Sequence, residues 1–137
     1  MLQTIEMTTL GDLLVKAVQR FGENDLLVFP DGRVTYSEML DRSYHRACAL
    51  VAAGLGSGRT VGILLANCNE YMETLMAVQL IGAMAVPINA RYKASELAYL
   101  LDNADIDLVV THDQISEYAN FGGLLIDALT DSRPPRL

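Results

Sequence analysis

Two polar side chains follow an apolar segment near the middle of the chain, in the stretch VPINARY (86–92). Asn89 can satisfy the exposed backbone groups of a turn, and the planar donor fork of Arg91 suits either a carboxylate or a phosphate. Since most polar groups in loops serve turns, the residues alone favour a structural role for both, with phosphate binding as the alternative.

A second polar stretch, NCNE (67–70), follows the apolar segment TVGILLA in the same way. Asn67 or Asn69 could cap the helix that comes next, and Glu70 could complement the dipole of that helix. Both stretches follow predicted parallel strands, and the carboxyl ends of such strands are where α/β proteins place ligands. For NCNE we favour capping over ligand binding.

Other reactive residue types form no recognisable motif. The two histidines, His45 and His112, belong to no triad pattern, so we expect no catalytic residue in this chain. Cys48 and Cys68 form no C-x-x-C pair, which argues against a disulfide framework and for the reducing cytoplasm. The aspartates between residues 102 and 107 lack the glycine and distal glutamate of a calcium loop, so we expect a solvated helix end there and no metal site.

The glycine run GLGSG (54–58) resembles a phosphate-binding loop in composition but not in context. Such a loop follows a strand and opens a helix, whereas this run follows a predicted helix and precedes a strand. We therefore predict a helix stop at Gly54, followed by a turn.

The elements that must position these residues alternate along the chain. Apolar spacing predicts a helix between Thr9 and Gly22, two strands around a turn at 30–32, and a helix that starts at the capping box of Thr35 and Glu38. From there the order is α-β-α-β-α-β, with central strands at TVGILLA and MAVPI and a third strand at DLVVT; GLLIDA fits a strand or a helix. The alternation predicts an α/β fold with a partly parallel sheet flanked by helices.

Two predictions concern the side chains that face the core. The helix after residue 35 is expected to turn one face inward, and the methionines in apolar segments are expected to pack inside. The predicted helix face is Leu40, Tyr44, Ala47, Cys48 and Val51, and the predicted core methionines are Met72, Met76 and Met84.

Composition excludes several classes of protein. The 137 residues suit one domain, with 51% hydrophobic residues, 20% charged residues and a net charge of −7. Excess negative charge argues against a broad nucleic-acid surface, although not against a small nucleotide in a local pocket. The longest apolar run is too short to span a bilayer, and the first ten residues lack the features of a signal peptide, so a soluble, cytoplasmic chain is expected.

Three segments, in this order and at this spacing, resemble the N-terminal part of the adenylate-forming enzymes. They are VTYSEML (34–40), GLGSGRTVGILLANCNEY (54–71) and AVQLIGAMAVPINARYKASELAYLLDNADIDLVVT (77–111). That superfamily includes the acyl-CoA synthetases, the firefly-type luciferases and the adenylation domains of peptide synthetases. Peptide-synthetase domains usually carry Asp where this chain has Asn89, so PINARY is more similar to bacterial fatty-acid and related carboxylic-acid CoA ligases.

The resemblance implies that residues 1–137 form an incomplete N-terminal portion of the large AMP-binding domain, with flexible ends at 1–8 and 131–137. It implies that the full-length enzyme uses ATP and Mg²⁺ to convert a fatty or related carboxylic acid to an acyl-adenylate, and then CoA to form the thioester. In some CoA-forming relatives the matching loop lies beside the CoA nucleotide. Asn89, Ala90 and Arg91 are therefore candidate CoA-binding residues.

The resemblance also shows what the sequence lacks. The Ser/Thr/Gly-rich phosphate loop that ends in lysine, the aromatic-Gly-x-Thr-Glu motif, the ribose-binding aspartate and the lysine of the C-terminal lid have no counterpart here. We expect this chain alone to be inactive and to bind neither ATP, Mg²⁺ nor CoA tightly. The alternative is a stand-alone, non-enzymatic interaction module, in which exposed apolar surface would favour a homodimer or another association.

Overall fold

The computed structural model describes residues 9–30, 32–113 and 120–131 of the chain. The elements in these ranges are α1 (Leu10–Phe21), β1 (Asp25–Phe29), β2 (Gly32–Thr35), α2 (Tyr36–Ala52), β3 (Thr60–Leu64), α3 (Asn69–Leu80), β4 (Met84–Pro87), α4 (Ala94–Asn103), β5 (Leu108–Thr111) and α5 (Phe121–Asp131). The ambiguous GLLIDA segment is helical, and Asn120 Oδ1 accepts a hydrogen bond from the Gly123 N–H at the start of that helix.

Local signals placed most helix ends correctly. Thr9 caps α1, and Thr35 and Glu38 form the predicted capping box at the start of α2. Gly54 follows α2 with a positive φ of 84°, as its role as a helix stop requires. Asp31, in the predicted turn between β1 and β2, lies outside the described residues, and so do the predicted flexible ends, except that Asp131 ends α5.

The centre of the fold is a parallel sheet in the order β4-β3-β5. Val61 of β3 lies opposite Ala85 on one side and Leu108 on the other, so the three strands run in register. Val61, Gly62, Ile63 and Leu64 are buried, which confirms that TVGILLA is the central strand covered on both faces. In the described part of the chain β4 is an edge strand, so the prediction that MAVPI is central is wrong there.

Helices cover both faces of this sheet. One face packs against α2 and α3 through a buried cluster that includes Ala47, Val61 and Val78. The other face packs against α4 and α5 through a cluster that includes Leu64 and Leu97. Successive residues of β5 contribute to opposite clusters, as the alternation of side chains along a strand requires.

A third apolar cluster joins the antiparallel hairpin of β1 and β2 to α1 and α2. Met72 and Met76 of α3 pack partly buried against this cluster, which agrees with the prediction for them. Met84 is 65% exposed, so its predicted place in the core is wrong. Its position on the first residue of an edge strand explains the difference, because no described element covers it there.

The inner face of α2 agrees with the prediction at Ala47, which is buried, and at Leu40, which packs partly buried against the third cluster, and it differs by about one position elsewhere. The buried residues are Met39, Ser43, Ala47 and Leu50, whereas Tyr44 is 62% exposed and Val51 and Cys48 are also exposed. An ion pair with α3 explains this rotation. Glu73, only 5% exposed, accepts from Arg46 Nε at 2.8 Å and from Arg42 Nη1 at 3.4 Å, which turns the arginine side of α2 toward α3.

Asp107 ties the amino ends of β3 and β5 together. Its carboxylate accepts from the Thr60 backbone N–H at 2.8 Å and from the Arg59 guanidinium at 2.9 Å. Asp102, Asp105 and Asp107 are all exposed, which agrees with the predicted solvated helix end and loop, and Asp107 in addition makes these two specific contacts. The Thr60 N–H, followed by the Arg59 guanidinium, holds the pKa of the Asp107 carboxyl below its usual value.

Gly11 lies where α1 packs closely against the backbone of α3. A Cβ at Gly11 of α1 would lie 3.1 Å from the Gln79 carbonyl oxygen and 3.2 Å from the Leu80 Cα, both backbone atoms of α3. Gly11→Ala should therefore lower the free energy of unfolding by about 1–3 kcal/mol. Urea denaturation measures the change.

Gly122, also the second residue of its helix, is the matched control, because a Cβ there meets nothing within 4 Å. Gly122→Ala should be neutral or stabilise the protein by up to about 1 kcal/mol through helix propensity. An equal effect of the two substitutions would contradict the close packing of α1 on α3.

The Asp107 contacts predict a pH-dependent contribution to stability. Because the folded-state pKa is depressed, the contribution is present above the unfolded pKa of about 3.9 and is lost as the pH falls through the folded value. Asp107→Asn should lower the thermal midpoint at neutral pH, and the difference from the wild type should shrink toward about pH 3. Asp102→Asn, at an exposed position in α4, is the control and should change the midpoint little at either pH.

Candidate functional site

The two polar stretches of the sequence meet at the carboxyl edge of the sheet. β3 and β4 are parallel neighbours, with Ile63 opposite Pro87, so the loops that follow them leave side by side. Between the loops lies an open cavity of about 510 Å³. Its lining is Leu65, Ala66, Asn67 and Tyr71 from the first segment and residues 87–91 from the second. The cavity therefore contains all three of the candidate residues Asn89, Ala90 and Arg91.

The wall after β4 is a short, well-defined turn. The Ile88 N–H donates to the Ile63 carbonyl at 2.9 Å, and the Ile88 side chain is buried in the core below. Asn89 Oδ1 accepts from the Arg91 N–H at 3.0 Å, and the Asn89 carbonyl accepts from the Tyr92 N–H at 3.0 Å. Asn89 thus satisfies the backbone of the turn, which fixes the path of the chain through Arg91.

Arg91 is exposed and differs from the other arginines of the described ranges. Arg33, Arg42, Arg46 and Arg59 form ion pairs with carboxylates, and Arg20 lies over the ring of Phe21. Within residues 9–30, 32–113 and 120–131, the structure shows no carboxylate or ring partner for the Arg91 side chain. The cavity lining also contains no carboxylate, so its one formal charge is positive in a chain of net charge −7.

The wall after β3 leads into α3. Cys68 is the N-cap residue and makes no capping hydrogen bond through its side chain, so the prediction that Asn67 or Asn69 is the cap is wrong. Asn67 instead lines the cavity, and Asn69 Oδ1 is buried without a hydrogen-bond partner in the described part of the chain. A backbone N–H and the Cys68 thiol lower the pKa of the Glu70 carboxyl, which stays ionised at the positive end of the helix.

Tyr71 is the site residue that the sequence analysis missed. It lies in the first turn of α3 and lines the cavity, and no motif in the sequence singled it out. Its position was nevertheless informative, because the first turn of a helix that follows a parallel strand lies at the carboxyl edge of the sheet.

The remaining candidates lie outside this cavity. His45 is exposed on α2, with Nε2 3.7 Å from Asp41, and the His112 ring packs edge-on against Phe121 with a centroid distance of 5.1 Å. His112 Nδ1 and Thr111 Oγ1 are buried without partners in the described ranges. Burial raises the pKa of the Cys68 thiol, which weakens Cys68 as a nucleophile.

The glycine run lies at the opposite, amino edge of the sheet, where it leads into β3. Gly58, like Gly54, has a positive φ, here 80°, so the run forms the predicted turn between α2 and β3. No group of three or more histidine, cysteine or acidic side chains with metal-binding geometry occurs in the described ranges. The carboxyl-edge cavity is therefore the candidate site.

Comparisons with known proteins agree with this arrangement. The model of the family described as AMP-binding enzyme matches residues 14–133. The acyl-CoA ligase sidI of Aspergillus fumigatus is 34% identical over 113 residues, which are 81% of this chain and 19% of that protein. The chain spans 19–24% of the length of the first three curated relatives it matches.

Solved structures give the same result for the fold. The N-terminal domain of FACL13 from Mycobacterium tuberculosis superposes with a TM-score of 0.82 and 27% identity, over 94% of this chain and 31% of that one. A fatty acyl CoA synthetase of Mycobacterium tuberculosis superposes with a TM-score of 0.81 and 27% identity, over 93% of this chain and 24% of that one. The parallel sheet and its helices match the N-terminal part of the adenylate-forming enzymes, and the chain belongs to the AMP-binding enzyme family.

Proposed function

We propose that this chain is the first part of the large N-terminal domain of an acid–CoA ligase. Such an enzyme would join a carboxylate to the α-phosphate of ATP with loss of pyrophosphate, and a CoA thiol would then displace AMP to give the thioester. The observation that supports this most directly is the superposition of nearly the whole chain on the N-terminal domain of FACL13. For the acid we propose a fatty or related carboxylic acid, since a fatty acyl CoA synthetase is among the structural neighbours.

The residues present do not fit the ATP phosphates or Mg²⁺. No carboxylate lines the cavity that could hold a cation, and Arg91 is the single cation in that lining. The sequence also lacks the phosphate loop that ends in lysine. We propose that the chemical steps use residues of a longer protein and that this chain supplies the supporting sheet and one ligand-facing wall.

For CoA the fit is better. Arg91 offers a planar guanidinium without a carboxylate partner in the described ranges, which suits a phosphate, and Asn89 holds its backbone in place at 3.0 Å. We propose that Asn89, Ala90 and Arg91 face the nucleotide end of CoA, with Arg91 as the charged contact. Asn89 would contribute by holding the turn, and the small side chain of Ala90 would leave space for the nucleotide. Arg91 is therefore the residue whose substitution tests the contact.

Partners and location follow as further parts of the proposal. Both cysteines are free, which suits the reducing cytoplasm. None of the helices in the described ranges is long and apolar enough to cross a membrane. Exposed apolar side chains such as Val28 and Met84 would favour association with further parts of the protein or with a second copy. The stand-alone interaction module is not favoured, because the matched family and the relatives compared above are ligases and synthetases.

The activity is tested by pyrophosphate release with a panel of carboxylic acids. The 137-residue chain alone should release none above background. The full-length gene product, with the expressed mass measured beside it, should release pyrophosphate with at least one fatty or related acid and form its CoA thioester. Activity of the 137-residue chain, or a full-length product that is inactive with every acid, would refute the proposal.

The role of Arg91 is tested by the two half-reactions of the full-length product. Arg91→Ala should raise the KM for CoA by about tenfold, as expected for the loss of one charge-assisted hydrogen bond, and leave acid-dependent pyrophosphate release unchanged. Arg20→Ala, which removes an arginine outside the cavity, is the control. Equal KM values for CoA in the two variants would show that Arg91 is structural.

A further inference from the structure

We propose that the outer surface of α4 and α5 is a docking site for a cationic amphipathic helix of a partner protein. The apolar side of that helix would cover Tyr99, Ile126 and Leu129, and its lysines or arginines would face the acidic residues around them. This inference goes beyond the proposed ligase activity and does not depend on it.

Large apolar side chains lie on the outer surface of two neighbouring helices. α4 and α5 pack on the same face of the sheet through inward side chains such as Leu97 and Ala128, and they also pack against each other. Tyr99 of α4 is 72% exposed, and Ile126 of α5 is 64% exposed. Leu129, also exposed, lies three positions after Ile126 and therefore on the same side of α5. The ridges and grooves of two neighbouring helices are a surface on which a third helix can pack.

The charge of this layer has one sign. Residues 94–131 contain 8 of the 17 acidic residues of the chain and none of its 10 lysines and arginines. The rest of the chain is close to neutral, so the net charge of −7 comes from this segment. Glu96 and Asp102 lie three positions before and after Tyr99, Asp127 follows Ile126, and all three acidic residues are exposed. A surface of this kind attracts cationic partners and repels anionic ones.

Two of these carboxylates already have partners, and two are available. Asp107 pairs with Arg59 at the amino edge of the sheet, and Glu96 accepts from the Lys93 N–H at 2.8 Å where α4 begins. None of the ion pairs in the described ranges includes Asp102 or Asp127. A lysine or arginine of a partner would therefore find an exposed carboxylate on each helix.

The same charges argue against other occupants of this surface. A second copy would bring the same acidic residues against it across a two-fold axis, and nucleic acids and anionic membranes would be repelled. A contact that stays buried within one polypeptide has few charges at its centre. A small apolar centre with a charged rim is instead typical of partners that bind and dissociate.

The experiment measures the binding of three designed peptides of about 18 residues to the 137-residue chain by fluorescence anisotropy. The first forms a helix with a leucine face flanked by lysines, and the second has glutamate in place of every lysine. The third has the composition of the first in an order that gives no apolar face. The first peptide should bind about tenfold more tightly than either of the others. Its affinity should fall when NaCl is raised from about 0.05 M to about 0.3 M.

A pair of tyrosine variants tests the apolar contact. Tyr99→Ser should weaken binding of the lysine peptide about fivefold, as expected for the loss of one large side chain from the centre of an interface. Tyr44→Ser, which removes a tyrosine that is 62% exposed on α2, is the control and should leave the affinity unchanged. Since both side chains are exposed, both variants should fold, and an unchanged thermal midpoint shows this.

A pair of charge variants tests the acidic contacts. Asp102→Asn combined with Asp127→Asn should weaken binding of the lysine peptide about twofold to fivefold. Glu23→Gln combined with Asp41→Asn removes two exposed carboxylates outside α4 and α5, and it should leave the affinity unchanged.

Three results would overturn the docking site. Equal affinities for the first and third peptides, or equal effects of the α4–α5 variants and their controls, would show only a general attraction of cations to an acidic chain. A dimer that Tyr99→Ser abolishes would assign the surface to a second copy. Loss of peptide binding in the full-length gene product would assign it to a contact within the longer polypeptide. The pyrophosphate assay is independent of all three results.

Discussion

The parallel pairing of β3 with both of its neighbours is the constraint on which the rest of this structure depends. Its register is fixed at both ends: Asp107 accepts from Thr60 at the amino edge, and the Ile88 N–H donates to Ile63 at the carboxyl edge. A slip of one residue would turn every side chain of a strand to the other face of the sheet. The two buried clusters on the two faces require this register, and so does the meeting of the two polar loops.

The arrangement of the sheet also determines which arginines have a carboxylate partner. At the amino edge Arg59 is held by Asp107, so that end of the sheet carries a closed ion pair. On the helical layer Arg42 and Arg46 share Glu73, whose burial requires a cation nearby. At the carboxyl edge Arg91 has no such partner in the described ranges. At the cavity the turn therefore fixes the backbone of Arg91, whereas its guanidinium has no carboxylate partner in the described ranges.

Much of this fold could be predicted from the sequence because its signals are local. Thr35 and Glu38 fix a helix start within four residues, and Gly54 marks a stop through its positive φ. The rotation of α2 is different, because two faces of that helix carry apolar residues and the choice depends on Glu73, 31 positions from Arg42. For the same reason Cys68, and not an asparagine, occupies the N-cap position of α3. The sheet sets the backbone path after β3, and this path leaves Asn67 at the cavity.

The candidate site shows the same division between topology and side-chain contacts. Strand order alone predicts that polar residues after β3 and β4 lie at one edge, and the structure brings them to one cavity. The sequence could not show which of these polar side chains already has a hydrogen-bond or ion-pair partner within the protein. The Asn89 side chain accepts a hydrogen bond from the backbone of its own turn, whereas Arg91, two residues later, has no carboxylate partner in the described ranges. A loop that uses its amide to hold the backbone and leaves its guanidinium without a carboxylate partner in the described ranges supports the proposal of an external anion, because the planar guanidinium suits a phosphate. This difference between Asn89 and Arg91, more than the presence of an arginine, is the support for the proposal that the carboxyl edge faces a ligand.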